Sequence, residues 1–365
     1  MENPPVHINK WLLPFSWLYG FVVSIRNKFF DWGIFKQEEF DVPVICIGNI
    51  TVGGTGKTPH TEYLVHLLKK QYRIGVLSRG YKRKTSGFLL ATDTTTSKEI
   101  GDEPFQIKQK FPDIIVAVDE KRRRGIKQLL SLQCPPEVIL LDDAFQHRYV
   151  KPSYTIVLSD YNRPVYEDKL LPAGRLREST KALRKRADMV IVTKCPNEIQ
   201  PIDFRIISHH MNLFPYQGLF FTTFGYQGLR SVFTDEEAIL PLESLSGKHI
   251  LLVTGIASPK TIQEKLSEYT KTVETIAYPD HHDFSTKDIN HITEAFRNIK
   301  SDNKLILITE KDASRLILFK DQIDEDVKQC LYYLPIEVVF IDNDQEKFNR
   351  NILKHLRAAT KIWLR

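Results

Sequence analysis

Gly48-Asn49-Ile50-Thr51-Val52-Gly53-Gly54-Thr55-Gly56-Lys57-Thr58-Pro59 follows the apolar run Val42-Pro43-Val44-Ile45-Cys46-Ile47 and leads into a helical stretch at 60–70. A buried strand, a glycine-rich turn, Lys-Thr and a helix are the parts of a phosphate cradle. Glycines 53, 54 and 56 let successive N–H groups face inward without Cβ clashes, Lys57 reaches β- and γ-phosphates, and Thr58 can ligate Mg²⁺. The strict pattern wants Gly five residues before the second Gly of the loop, and Thr51 stands there. A dinucleotide fingerprint fits less well, because Pro59 takes the place of its last glycine. Thr51, Gly53, Gly54, Thr55, Gly56, Lys57 and Thr58 therefore read as a nucleoside triphosphate site.

Outward from the loop, short β-branched runs recur at 74–77, 114–118, 138–141, 155–158 and 189–193, with helical stretches at 60–70 and 121–132 between them. Continuous apolar strands alternating with helices indicate a parallel sheet covered on both faces. Residues 219–224 and 229–233 look like a β pair around Gly225 and Gly228. A second alternation follows, with strands at 249–254, 272–277, 305–309 and 338–341 and helices at 260–269, 286–299 and 345–360. The expected organisation is α/β: an aromatic arm at 1–35, a P-loop lobe at 36–216, a β-rich hinge at 217–235 and a smaller α/β lobe at 236–365.

The arm has 15 uncharged residues from Trp11 to Ile25, too few for a span and interrupted by Pro14 and Gly20. Three of the four Trp lie in the first 32 residues, and Arg26 and Lys28 follow the apolar run. Such a segment reads as a helix lying in a membrane interface, with a core helix as the alternative. The rest of the composition is that of a folded globular chain. Lys plus Arg total 51 against 45 Asp plus Glu, and the bases are scattered among the acids, which argues against a nucleic-acid partner. The 4 Cys form no CxxC pair, so neither a disulfide framework nor a zinc site is signalled.

Chemistry-bearing groups gather in a few places. Val138-Ile139-Leu140-Leu141-Asp142-Asp143 ends a strand in carboxylates that can hold Mg²⁺ beside the loop. Gly101-Asp102-Glu103-Pro104 offers either a helix cap or a base for an attacking hydroxyl, with Glu103 near the metal. Asp280-His281-His282-Asp283 suits a His that tunes a catalytic carboxylate better than a metal site, since no distant Cys or His completes a set. Basic groups at 79–84, 121–124 and 175–186 can grip phosphates, and Thr309-Glu310-Lys311-Asp312 would face the same cleft.

Taken in order, residues 48–59, Ser78-Arg79-Gly80-Tyr81, Gly101–Pro104, Leu141-Asp142-Asp143-Ala144-Phe145-Gln146-His147, Leu171-Pro172-Ala173-Gly174-Arg175-Leu176-Arg177-Glu178, Asp280-His281 and Thr309–Ala313 resemble the tetraacyldisaccharide 4′-kinases of lipid A synthesis. The resemblance runs from about 44 to 315 and accommodates Thr51. It implies a two-lobed P-loop kinase with a β-stranded hinge, using ATP and Mg²⁺ to phosphorylate the 4′-hydroxyl of a tetraacylated glucosamine disaccharide 1-phosphate. It implies a peripheral protein on the cytoplasmic face of the inner membrane, with lipid as its partner and no protein partner. By motif position Asp102 would be the catalytic base and His281 its partner. Lys57 and Thr58 would hold phosphate and Mg²⁺, with Glu103, Asp142 and Asp143 around the metal. Arg177 and Glu178 would stand on the acceptor side. Ala144 replaces a usual Gly, and Arg83 follows Lys82 where Gly-Arg is common. A membrane-associated nucleotide switch and a soluble small-molecule kinase are the rival readings.

Overall fold

The computed structural model describes residues 8–233, 239–255, 259–279 and 282–363. The strands in chain order are β1 (Val44–Asn49), β2 (Ile74–Ser78), β3 (Leu89–Leu90), β4 (Ile115–Val118), β5 (Val138–Asp142), β6 (Tyr154–Asp160), β7 (Met189–Thr193), β8 (Gly218–Tyr226), β9 (Arg230–Ser231), β10 (His249–Thr254), β11 (Val273–Ala277), β12 (Lys304–Thr309), β13 (Leu331–Leu334) and β14 (Ile336–Phe340). They form two sheets, ordered β14-β8-β7-β6-β1-β5-β2-β4-β3 and β11-β10-β12-β13-β9. Two compact units result, one of residues 1–224 with 338–365 and one of residues 225–337.

β1 lies at the centre of the first sheet, parallel to both β5 and β6. All six of its residues are buried. Ile45 and Ile47 point into one core with Leu64, Val65 and Leu68. Val44 and Cys46 point into the other with Ile126 and Leu129. The alternation of a strand thus supplies two apolar cores at once, as a doubly covered parallel sheet requires. The sheet C-termini bring the ends of β1 and β5 side by side, with Ile47 opposite Asp142.

Two sequence expectations change here. Residues 219–224 and 229–233 do not pair with each other: β8 runs parallel to β7, whereas β9 runs antiparallel to β13 in the second sheet. The last strand and helix, expected in the second lobe, belong to the first unit. β14 lies next to β8, and Phe348, Ile352 and Leu356 of the C-terminal helix Gln345–Trp363 are buried in the core that holds Ile45 and Ile47.

The helix α1 (Leu13–Asp31) is two-faced. Inward, Ser16 Oγ donates to the Leu170 carbonyl at 2.9 Å, the Tyr19 hydroxyl donates to the Arg177 carbonyl at 3.0 Å, and Phe30 is buried. Outward, Trp17, Leu18, Phe21 and Val22 are exposed, as is Trp11 just before the helix. Among the described residues no helix is long and apolar enough to cross a membrane.

Candidate active site

The phosphate loop connects β1 to the helix α2 (Lys57–Leu68). Gly56 is the N-cap at φ 82°, where an L side chain is strained, and a Cβ there would come 2.6 Å from the Phe224 ring. Asn49 Nδ2 donates to Thr55 Oγ1 at 3.0 Å inside the loop, and the Thr193 hydroxyl donates to the Thr55 carbonyl at 2.9 Å. The segment 170–177 straps the other side: Val52 N–H donates to the Arg175 carbonyl at 2.8 Å, and Arg177 N–H to the Ile50 carbonyl at 2.7 Å. Gly53 and Gly54 stay exposed while Thr51 and Thr55 are buried, so the loop is fixed at its base and open at its rim.

The two acids ending β5 point to different partners, because Asp143 takes a left-handed conformation at φ 48°. Asp142 is buried and accepts from the Thr61 hydroxyl at 3.3 Å. Burial first, then the charges of Asp143 and Glu103, push its carboxyl up to about 7 against the pull of Lys57. Asp143 instead meets two cations, Lys57 Nζ at 3.7 Å and Arg177 Nη1 at 3.5 Å. Asp102 and Glu103 open the helix Asp102–Lys110, whose N-cap Gly101 sits at φ 90°, ψ 160°, a conformation reserved for glycine. A carboxylate at a helix N-terminus is favoured by the unpaired N–H groups there. Lys57, Asp142, Asp143 and Glu103 are thus brought together, with Thr58 on the first turn of α2 and Arg177 on the strap.

Several further groups are marked in the sequence only as members of a basic run or a motif, and His60 and Thr61 not at all. Arg122, one of a run of basic residues, is buried, and its guanidinium lies near enough to Asp142, Asp143 and Arg79 for their charges to act on it. His147 has its pKa lowered to about 4, by burial first and then by Arg122, Arg26 and Arg79. Gln146 Nε2 donates to the Asn49 carbonyl at 2.6 Å, tying the Asp142–His147 motif to the loop. His60 and Thr61 sit on the inner face of α2. Glu178 lies buried behind Arg177, accepting from Asn27 Nδ2 at 3.0 Å and from Arg186. A periodicity argument can mark such residues as helical, but the partner of a buried polar group is set by strands far away in sequence.

In the second unit, Asp280 and His281 lie outside the described residues. Neighbouring His282 stacks on Tyr278 at 4.5 Å and its Nε2 is 3.1 Å from Asp288 Oδ2. Of the 309–312 motif, Asp312 turns inward: it is fully buried and accepts from the Gly255 N–H at 2.8 Å and the Thr309 hydroxyl at 2.7 Å.

A glycine-rich loop between the central parallel strand and a helix, with strand-ending carboxylates beside its lysine, defines a P-loop nucleotide-binding protein. Comparison with known proteins narrows the class. The family model for tetraacyldisaccharide-1-P 4′-kinase matches residues 8–357, and the chain belongs to that family. A tetraacyldisaccharide 4′-kinase of Bacteroides thetaiotaomicron is 52% identical over 99% of this chain and 97% of its own length. That of Phocaeicola vulgatus is 54% identical over 99% of both. Among solved structures, the LpxK of Aquifex aeolicus in complex with ATP matches with a TM-score of 0.75 at 29% identity, covering 95% of this chain and 99% of that one.

Proposed function

We propose that this chain transfers the γ-phosphate of ATP to the 4′-hydroxyl of a tetraacylated glucosamine disaccharide 1-phosphate, a step of lipid A biosynthesis. The observation that carries this reading is the convergence of Lys57, Asp142, Asp143 and Glu103 at the loop, within a chain that matches the kinase family almost end to end. Phosphoryl transfer needs in-line positioning and charge neutralisation more than covalent help, and this cluster supplies both signs of charge.

Lys57 and the N–H groups of residues 53–58 hold the triphosphate. The hydroxyl of Thr58 and the carboxylates of Glu103, Asp142 and Asp143 suit Mg²⁺, a hard cation that favours oxygen ligands and keeps several waters. Among the described residues no group of three or more acidic, His or Cys side chains is placed to hold a metal ion by itself. When bound, Mg²⁺ neutralises charge on the transferring group. Asp102 accepts the proton of the 4′-hydroxyl, with His281 as the group that tunes it. Arg177 stabilises charge on the acceptor side. The positive group formed by Arg26, Arg79 and Arg122 around His147 suits an anionic acceptor.

The exposed aromatic face of α1 lies in the lipid headgroup layer, so that the protein sits peripherally on the cytoplasmic face of the inner membrane while the acyl chains stay in the bilayer. The test is transfer of labelled γ-phosphate from ATP to the disaccharide 1-phosphate in detergent micelles. The 4′ position acquires label with the native chain. Lys57→Ala loses it together with ATP affinity, whereas Asp102→Ala loses it while ATP still binds. Saturable ATP binding without lipid product would shift the reading to a nucleotide switch.

A further inference from the structure

His60 lies four residues beyond Gly56 on α2 and is buried. Its Nδ1 is 2.8 Å from the Gly56 carbonyl, which also accepts the longer 3.3 Å bond from the His60 backbone N–H, and its Nε2 is 3.1 Å from the Thr222 hydroxyl. A carbonyl can only accept, so Nδ1 carries the proton and the Nε2 lone pair accepts from Thr222. Both ring nitrogens meet neutral oxygens in a buried place, so one ring proton serves both hydrogen bonds. Thr222 belongs to β8, and the same strand places Phe224 against Gly56, with the Phe224 and His60 rings edge to face at 6.2 Å. β8 is also the strand by which the chain leaves the first unit, which ends at Phe224 before Gly225 opens the second.

The consequence for the loop follows from peptide geometry. In a planar trans peptide the carbonyl and the next N–H point in opposite directions. Holding the Gly56 carbonyl on His60 therefore aims the Lys57 N–H the other way. Holding the Thr55 carbonyl on Thr193 does the same for the Gly56 N–H. Both anchors come from the sheet side, Thr193 at the end of β7 and Thr222 in β8. The two N–H groups are left to the concave side of the loop, where an anion is received.

We propose that His60 is a positioning residue for nucleotide use: it fixes the Gly56–Lys57 peptide in the anion-accepting orientation and ties it to β8 through Thr222. This rests on the reading of the loop as the ATP site. A packing role alone would affect stability without selecting for nucleotide.

The test compares MgATP affinity, kcat and the KM values for both substrates in the full chain, together with ¹⁵N imidazole NMR of the native protein. The NMR should show the His60 proton on Nδ1, and a proton on Nε2 overturns the proposal without any variant being made. His60→Val should raise Kd and KM for ATP about tenfold, the scale of one lost buried hydrogen bond, with KM for the lipid acceptor unchanged. His60→Asn, whose amide can donate to the Gly56 carbonyl, should recover most of that loss. Thr222→Val should show an intermediate loss, and His60→Val with Thr222→Val no more than His60→Val alone, because the two act in series. Unchanged ATP affinity in His60→Val, or no recovery in His60→Asn, overturns the proposal. Lys57→Ala separates the two levels. If it keeps native ATP affinity the loop reading itself fails, and if it loses affinity while His60→Val does not, only the role of His60 falls.

Discussion

Asp142 shows what the site costs the fold. A buried carboxylate with Asp143 and Glu103 for neighbours has its pKa raised to about 7, so its ionised form is held in an unfavourable place. Asp142→Asn keeps an oxygen for the Thr61 hydroxyl and removes the like-charge repulsion. It should raise the melting temperature by a few degrees, roughly 1 kcal/mol, while abolishing transfer, a trade expected where catalysis needs crowded charge. Calorimetry beside the phosphate-transfer assay checks both halves. His60 and His147 set the acid limit. Both are lowered to about 4 from a usual 6.5, by burial first in each case. The folded state therefore binds fewer protons than the unfolded chain between those values, and stability is lost as pH falls from about 6.5 towards 4. For the fully buried His60 the loss approaches about 3 kcal/mol. Chemical denaturation across that window should show a shallower pH slope in His60→Val than in the native chain.

At the scale of elements, α1 has a packed face and an exposed aromatic one. Ser16, Tyr19 and Asn27 fasten its inner face to the strap 170–178 that holds the phosphate loop. Trp17 and Phe21 on the outer face are 73% and 63% exposed. Deleting the arm would therefore strip the site of its support as well as removing the exposed aromatic face. Trp17→Glu with Phe21→Glu is the cleaner change: it should abolish sedimentation with anionic vesicles and raise KM for the lipid acceptor, leaving MgATP affinity and melting temperature as they were. Retained vesicle binding would remove the interfacial role of α1. The 309–312 motif shows the opposite case. Both of its acids were legible as candidates for chemistry, yet one of them, Asp312, is consumed inside its own unit as a clamp on Thr309 and Gly255.

The whole molecule is two α/β units whose boundaries do not follow chain order. Residues 338–365 return to the first unit, where Leu356 and Ile352 are fully buried in the same core as Ile45 and Ile47 of the strand that precedes the phosphate loop. Leu356→Ala should cost about 2–5 kcal/mol of that unit's stability. Native-state hydrogen exchange should register the loss in β1 and β6 and leave β10 and β12 unaffected, although all the residues from 225 to 337 are nearer to 356 in sequence than β1 is. Equal loosening of both sheets would show that the units do not unfold separately.

From the sequence alone came the strand–loop–helix at 44–68, the alternation behind the parallel strands at the middle of both sheets, and the carboxylates at the end of β5. These rest on short-range physics: side-chain periodicity, the conformational freedom of glycine and the need of a triphosphate for N–H groups and a cation. Tertiary structure alone decided that residues 219–224 and 229–233 enter different sheets, and that the final strand and helix complete the first unit. It also turned His60 and Arg122 inward to the loop and Asp312 away from solvent. Strand neighbours and the partners of buried polar groups are chosen by burial summed over distant segments, and no local pattern encodes that sum.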